Sequence, residues 1–279
     1  MTPFELYQPQ SLPEALALLE EDGARPMSGG TALMLMMKAG VLRPTRLVNL
    51  QRLGLEGIEA GPAGELRVGS MVSLRRLEMS DLVRRGWPVI AKALRTLANV
   101  RVRNVATVGG HLAHGDPHMD LPPVLSALGA RVTIEGPKGK RTVPVEQIGT
   151  GYLETSIARD ELITRLEVPA LGKRRAAYLK CTTRTADDWP ALGVAVVVDA
   201  ENNYSLMVSA ATDKPTRLIA AEKLLQGKGI TDALLRRAGE AAAAEVHIEG
   251  DLHGSAAYKK QLLRVYLGRT IHEARKPAD

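Results

Sequence analysis

The chain has 279 residues, long enough to bury a substantial core and to divide into two domains. Its 45% apolar and 24% charged residues are ordinary for a globular chain, and no apolar run approaches the ~20 residues of a membrane span, which excludes disordered, fibrous and transmembrane classes. The net charge of +6 is spread over scattered Lys and Arg with only 3% aromatics to stack on bases, so no nucleic-acid partner is expected.

In chain order, Ser11 with Glu14 forms a capping box around Pro13, and Leu12, Ala15, Leu16 and Leu19 share one face of a helix that Gly23 is expected to stop. The sequence Ser28-Gly29-Gly30-Thr31 follows, then an apolar stretch over residues 33–39 that reads as a helix. Residues 46–50 and 66–69 read as strands, and helices are expected from Ser73 and over residues 88–97. Residues 101–123 are rich in Gly, Pro and polar side chains and read as a long ordered loop, the kind that usually carries function. A hairpin is expected around Gly136-Pro137-Lys138-Gly139, and strands over 162–168, 177–182, 192–199 and 204–211. Residues 217–225, 232–244 and 256–267 then read as helices, an α+β layout with a boundary near Leu171-Gly172-Lys173.

One cysteine, Cys181, excludes an internal disulfide, a CxxC pair, and a zinc finger or iron–sulfur cluster ligated by this chain's cysteines. A buried, inert thiol is its expected state. The start, MTPFELYQPQ, has neither the basic residues nor the apolar stretch of a signal peptide, so a cytoplasmic location is expected.

Two segments carry chemistry, Ser28-Gly29-Gly30-Thr31 and Thr107-Val108-Gly109-Gly110. A bare Gly-Gly backbone can approach an anion and aim several N–H groups at it, and Thr31 and Thr107 add hydroxyls. At the Gly30–Thr31 junction the N-terminal dipole of the following helix would face the same anion. Neither segment fits the GxGxxG dinucleotide fingerprint or the GxxxxGK[ST] phosphate loop. His111, His114 and His118 with Asp116 and Asp120 could suggest a metal, but their spacing lacks the i,i+4 geometry of helical zinc sites, so no metal is expected. Asp187-Asp188 reads as a helix cap or a loop tether rather than an acid–base pair, and Met34, Met36 and Met37 as helix core.

The stretches SGGTALMLMMKAG and VRNVATVGGHLAHGDPHMDLPPVLSALGA resemble the two FAD signatures of the medium subunits of molybdenum hydroxylases, usually AGGT(D/S)LL and T(I/V)GGNLAxADPxxDLPP. The resemblance extends through FELYQPQSLPEALALLEEDG, LGVAVVVDA and ATDKPTRLIAAEKLL, most of the chain. It implies a two-lobed FAD-binding domain of the vanillyl-alcohol-oxidase (PCMH) type over residues 1–171, with lobes of about 1–58 and 59–171, and a C-terminal α+β domain over 172–279. It also implies that Ser28, Gly29, Gly30, Thr31 and Ala32 hold the FAD diphosphate from one side and Thr107, Gly109 and Gly110 from the other, with Met27, Leu33 and Val108 among the cofactor-binding residues. His111 and His114 would stand beside the cofactor, Asp120 near its ribitol or ribose hydroxyls, and Lys180 near the flavin ring. His111 replaces the usual Asn, and Ala32 the usual Asp or Ser.

Function by resemblance is electron transfer through FAD, with no catalytic side chain in this chain. The molybdopterin cofactor would lie in a large partner subunit and iron–sulfur (2Fe-2S) clusters in a small one, the whole a dimer of heterotrimers. The alternatives are a stand-alone FAD-dependent oxidoreductase, like the enolpyruvyl-sugar reductases, and a scaffold that has lost FAD.

Overall fold

The computed structural model describes residues 2–276. The first lobe runs β1 (Glu5–Tyr7), α1 (Leu12–Leu19), β2 (Ala24–Met27), α2 (Thr31–Lys38) and β3 (Arg46–Asn49), with a parallel sheet in the order β1-β3-β2. Ser11 Oγ caps α1 by accepting the Glu14 N–H at 3.3 Å, and the Glu14 carboxylate accepts the Gln10 N–H at 2.8 Å. The helix ends at Leu19, before Gly23, which instead makes the left-handed turn into β2 and accepts the Thr45 N–H. Ala15 and Leu19 pack with Ala24 and Val48, and this small core also takes Met71 and Leu162 from the second lobe.

The second lobe comprises β4 (Ile58–Ala60), β5 (Leu66–Gly69), α3 (Leu74–Met79), α4 (Asp81–Gly86), α5 (Pro88–Arg95), α6 (Val100–Val105), α7 (Val108–Ala113), α8 (Leu121–Leu128), β6 (Arg131–Gly136), β7 (Gly139–Pro144), β8 (Gly149–Gly151), β9 (Glu154–Thr155) and β10 (Leu162–Val168). An antiparallel sheet in the order β4-β5-β10-β6-β7 backs the helices. The expected loop over residues 101–123 is corrected here: α6, α7 and the start of α8 occupy most of it. Asn99 and Thr107 cap α6 and α7, and Pro122 falls in the first turn of α8, where its missing N–H costs nothing. Gly and Pro at helix starts had imitated a loop.

The last third holds β11 (Arg175–Thr182), β12 (Pro190–Val198), β13 (Tyr204–Ser209), β14 (Thr216–Arg217), α9 (Ile219–Leu225), α10 (Asp232–Glu245) and α11 (Ala256–Arg275), so the chain has the expected α+β class. Every residue of β12 is buried. Val194, Val196 and Val198 pack with Leu263, Leu267 and Ile271 of α11, while Ala195, Val197 and Met207 join the second-lobe core with Leu121, Leu125 and Leu128 of α8. The sheet is thus covered on both faces, by α8 from the middle of the chain and by α11, which follows the sheet in sequence. No helix among the described residues is long and apolar enough to cross a membrane.

Three local expectations also change. Of the α2 methionines only Met37 is buried, and Leu35 is 67% exposed, so this helix is not a core element. Cys181 is half-buried beside the Tyr258 and Tyr266 hydroxyls rather than enclosed in apolar packing. Asp187 and Asp188 lie in a turn and cap no helix: Asp188 takes Arg184 at 2.8 Å and the Trp189 N–H at 2.9 Å.

A buried ion pair ties α3 to α6. Arg103 Nε donates to Glu78 Oε2 at 2.9 Å, and its Nη1 donates to the carbonyls of Leu97 and Ala98, the latter residue in the left-handed region. Removing Arg103 would leave Glu78 only the more exposed Arg75, whose Nη1 donates to Oε1 at 2.7 Å, and would orphan the two carbonyls; the loss of about 3–5 kcal/mol for a wholly uncompensated buried charge is its upper bound. Arg103→Met is therefore expected to lower the urea midpoint strongly, with Arg103→Met/Glu78→Leu recovering part of the loss. Equal midpoints for Arg103→Met and the unmodified protein would show the pair to be dispensable.

Candidate functional site

β2 leaves its sheet at Met27, which is paired with Asn49, and the chain turns through Ser28 and Gly29 into Gly30. Gly30 sits at φ +68, a region open to glycine, and is the N-cap of α2. No side chain caps this helix, so the N–H groups of its first turn are free for an outside acceptor. Gly29 is required for a different reason: a Cβ there would lie 2.0 Å from the Val105 carbonyl oxygen. The first segment is thus pressed against the end of α6.

The second segment, Thr107 to His111, opens α7 rather than a loop. Its backbone donors are already taken. Val108 N–H donates to Val72 O at 2.9 Å, Gly109 N–H to Ser70 O at 2.8 Å, and Gly110 N–H to Thr107 Oγ1 at 3.2 Å. The glycines serve close approach: a Cβ on Gly109 would lie 2.7 Å from Ser70 Cβ, and one on Gly110 would lie 2.5 Å from Ser28 Oγ. The two segments face each other, one offering free N–H groups and the other side chains.

Between them opens a cleft of about 710 Å³. Ser28, Gly29, Gly30, Thr31, Ala32, Leu33, Thr107, Gly109, Gly110, His111 and His114 all line it. Val108 is fully buried in the core, and Met27 lies behind Gly30, neither among the lining residues. Asp120 and Lys180 are also outside the lining, joined to each other instead: Lys180 Nζ donates to Asp120 Oδ2 at 3.1 Å, and to the carbonyls of Thr96 and Asp188. Tyr178 donates to Asp120 Oδ1 at 2.6 Å. Burial raises the Asp120 carboxyl above its ordinary range, against the opposing pull of Lys180 and Tyr178.

Sequence reasoning missed the opposite wall, built from Thr150, Leu153, Glu154 and Thr155 around the β8–β9 turn. Leu153 holds a left-handed backbone, φ +57, while its N–H donates to Gly115 O. The stretch GTGYLET contains no motif that distinguishes a cleft wall from a surface turn. Arg25 and Arg159 were missed as well; both line the cleft, and Arg159 crosses to the first lobe to pair with Asp22 at 2.7 Å.

His111 is the informative side chain. Only 7% of it is exposed, and its Nε2 has no hydrogen-bond partner. Burial first, and His114 second, push its pKa down to about 3, so the ring is neutral at ordinary pH. A buried polar atom left without a partner is costly and calls for one. Together with the uncapped start of α2, it fits an elongated ligand with an anionic centre and polar groups beside it. His118, by contrast, is engaged by the Asp116 and Asp251 carboxylates.

Comparison with known proteins agrees with that chemistry. The family described as "FAD binding domain in molybdopterin dehydrogenase" matches residues 2–171, and "CO dehydrogenase flavoprotein C-terminal domain" matches residues 177–274. The carbon monoxide dehydrogenase medium chain of Hydrogenophaga pseudoflava is 32% identical, over 97% of this chain and 96% of its own length. The glyceraldehyde dehydrogenase medium chain of Sulfolobus acidocaldarius is 29% identical over 97% of this chain and 98% of its own. A solved structure of carbon monoxide dehydrogenase from H. pseudoflava superposes with a TM-score of 0.93 at 32% identity, covering 98% of this chain and 97% of that one. The chain belongs to the FAD-binding medium subunits of the molybdenum hydroxylases, oxidoreductase flavoproteins of multi-subunit complexes.

Proposed function

We propose that FAD lies in the cleft between the lobes with its diphosphate at the uncapped start of α2, so that this chain relays electrons from iron–sulfur clusters of a small partner subunit to an external acceptor. The observation that carries the placement is the pairing of a free helix start at Gly30 with the buried, partnerless Nε2 of His111. Ser28, Gly29, Gly30, Thr31, Ala32 and Leu33 would cradle the diphosphate through backbone N–H groups, with the helix dipole favouring its charge. Thr107, whose hydroxyl proton is free because its oxygen accepts from Gly110, would donate from the other side, and Gly109 and Gly110 would keep the walls close. His111 would donate from Nε2, and His114 would stand at the same wall. Met27 and Val108 would support the two segments from behind. The Asp120–Lys180 pair would set the charge next to the ring, being buried at the end of the segment that follows α7.

When bound, FAD supplies a carrier that takes up and releases electrons singly or in pairs. The side chains then have the work of binding, orienting and excluding water. We assign the molybdopterin cofactor to a large partner subunit and the 2Fe-2S clusters to a small one, in a dimer of heterotrimers located in the cytoplasm. The medium-chain names of the relatives support the first part of that assignment. We also place the division of the chain at 171–172, with FAD-binding lobes of about 1–58 and 59–171, and a C-terminal domain over 172–279; the two family matches, ending at 171 and beginning at 177, support it.

Purified protein is expected to carry, or take up, one FAD per chain, read from its visible flavin bands and the quenching of flavin fluorescence. A preparation that binds no FAD when it is added in excess would rule the placement out. Within a binding protein, Gly30→Val would force a branched residue into the left-handed region, costing about 1–2 kcal/mol, and would crowd the anion. FAD affinity should fall tenfold or more, while Gly57→Ala, a site with open space around it, should leave affinity unchanged.

His111→Leu is expected to weaken FAD binding about tenfold through one lost hydrogen bond, with His111→Asn restoring most of it. The native His111 stays neutral while the unfolded one protonates near 6.5, so the stability contributed by its burial is full above that pH. It declines as pH falls from there toward 3. Urea unfolding of the FAD-free protein between pH 4 and pH 8 should show a steeper acid loss than for His111→Leu; matching profiles would remove His111 from the account.

A further inference from the structure

His118 lies outside the cleft wall, and nothing in the flavin reading uses it. It occupies the middle of the segment 115–120, which continues directly from α7 and ends at Asp120, the N-cap of α8. Its neighbour Met119 lines the cleft. The His118 ring bridges two carboxylates: Nδ1 is 2.9 Å from Asp116 Oδ1, and Nε2 is 2.8 Å from Asp251 Oδ2. Asp251 belongs to the segment just before α11 and is held by Lys259 Nζ at 2.6 Å. Lys259 is 1% exposed and donates also to Ala210 O, and the N–H of Ala210, a left-handed residue, returns to Pro117 O at 2.9 Å. The loop beside the cleft is thus fastened to the C-terminal helices by a closed ring of polar contacts from Asp116 through His118, Asp251, Lys259 and Ala210 back to Pro117.

We propose that His118 is a positioning residue of the cofactor site: as a cation bridging Asp116 and Asp251, it latches the 115–120 segment to the C-terminal helices and so holds α7 and Asp120 in place around FAD. The inference rests on the FAD reading for its functional part and on the contacts alone for the latch.

The geometry requires the cation. A neutral imidazole has one N–H and one lone pair, so with a carboxylate at each nitrogen it would satisfy one and turn a lone pair on the other. The imidazolium donates to both. The groups facing it are Asp116 on its own segment, Asp251 and His253 from the 249–254 segment, and Lys259 of α11 behind Asp251. From the turn between β11 and β12, Trp189 meets the ring edge-on at 5.4 Å, and Asp188 is bonded there to Arg184. The two carboxylates outweigh burial and raise the His118 pKa, and Asp251 is held down at about 2 by Lys259 and His118 against its own burial. A raised pKa means the latch is complete below His118's unfolded value of 6.5 and is lost as pH rises through the folded value. Above it, one carboxylate confronts a lone pair, and the loop loses its charged bridge to Asp251 and keeps on that side the contact of Pro117 O with the Ala210 N–H.

The test is FAD titration of the purified full-length protein, followed by flavin fluorescence from pH 6 to pH 10. Affinity is expected to fall about tenfold through a single-proton transition on the alkaline side. His118→Gln should bind at the weakened level throughout, with no transition. Asp251→Asn, which removes one of the two carboxylates, should move the transition to lower pH, an effect that simple loss of packing would not give. Hydrogen exchange of residues 115–120 without FAD should be slow in the unmodified protein at pH 6.5 and fast in His118→Gln. Slow exchange with no FAD uptake would defeat the FAD reading while leaving the latch intact. Wild-type affinity and an unchanged pH transition in His118→Gln would overturn the positioning role. If His118→Gln does not fold, the alkaline transition and its shift in Asp251→Asn decide the matter, and a pH-independent affinity in the unmodified protein refutes it.

Discussion

Two backbones that must pass closer than side chains permit set the shape of this molecule. Gly29 runs against the Val105 carbonyl, and Gly110 faces Ser28 Oγ, so the start of α2 and the start of α7 meet at the junction of the lobes. Everything that gives the cleft its character follows from that contact. The left-handed Gly30 aims an uncapped helix start into the gap, and the α7 glycines let the opposite wall close without filling it. The N–H groups of the second segment are used to hold α7 against Ser70 and Val72, which divides the labour: one wall provides backbone donors and the other provides Thr107 and His111.

Around this contact the charges are buried in pairs and chains rather than singly. Glu78–Arg103 fixes α6, Asp120–Lys180–Tyr178 fixes the start of α8 against β11, and the His118 ring fixes the intervening segment to α11. Buried ion pairs contribute little net stability over apolar packing, and their geometric demands are a better account of their use here. Each one joins a helix end beside the cleft to an element further out, so the walls are positioned by directional contacts as well as by apolar ones.

Much of this was legible in the sequence because local rules and global fold agree there. The Ser11 capping box, the hairpin at Gly136–Gly139, the continuous apolar run of β12 and the C-terminal helices all report their own structure. Reading failed where glycine and proline had two meanings. Between residues 101 and 123 they mark helix starts and close approach, and composition alone cannot separate those uses from a loop. Met34 and Met36 failed for a related reason, since apolar character predicts burial only when a neighbour comes to cover it. The β8–β9 wall had no signal, because its place in the cleft depends on Gly115 accepting the Leu153 N–H from far along the chain. Lys180 lies 60 positions from Asp120, and Asp251 lies 133 from His118, separations that no local pattern encodes.

The double covering of β12 has a consequence for how the chain is made. One face of that strand is completed by α11, which leaves the ribosome well after it, and the other by α8, which emerges about seventy residues before the strand does. The earlier part therefore waits with the α8 side of its core incomplete until β12 and β13 arrive to supply Ala195, Val197 and Met207. Long-range pairing of this kind is slow to form and leaves apolar surface open in the interval. A nascent chain stalled before residue 190 would present that surface to chaperones, and separating the last third as an independent unit would strip the sheet of the face that α8 provides.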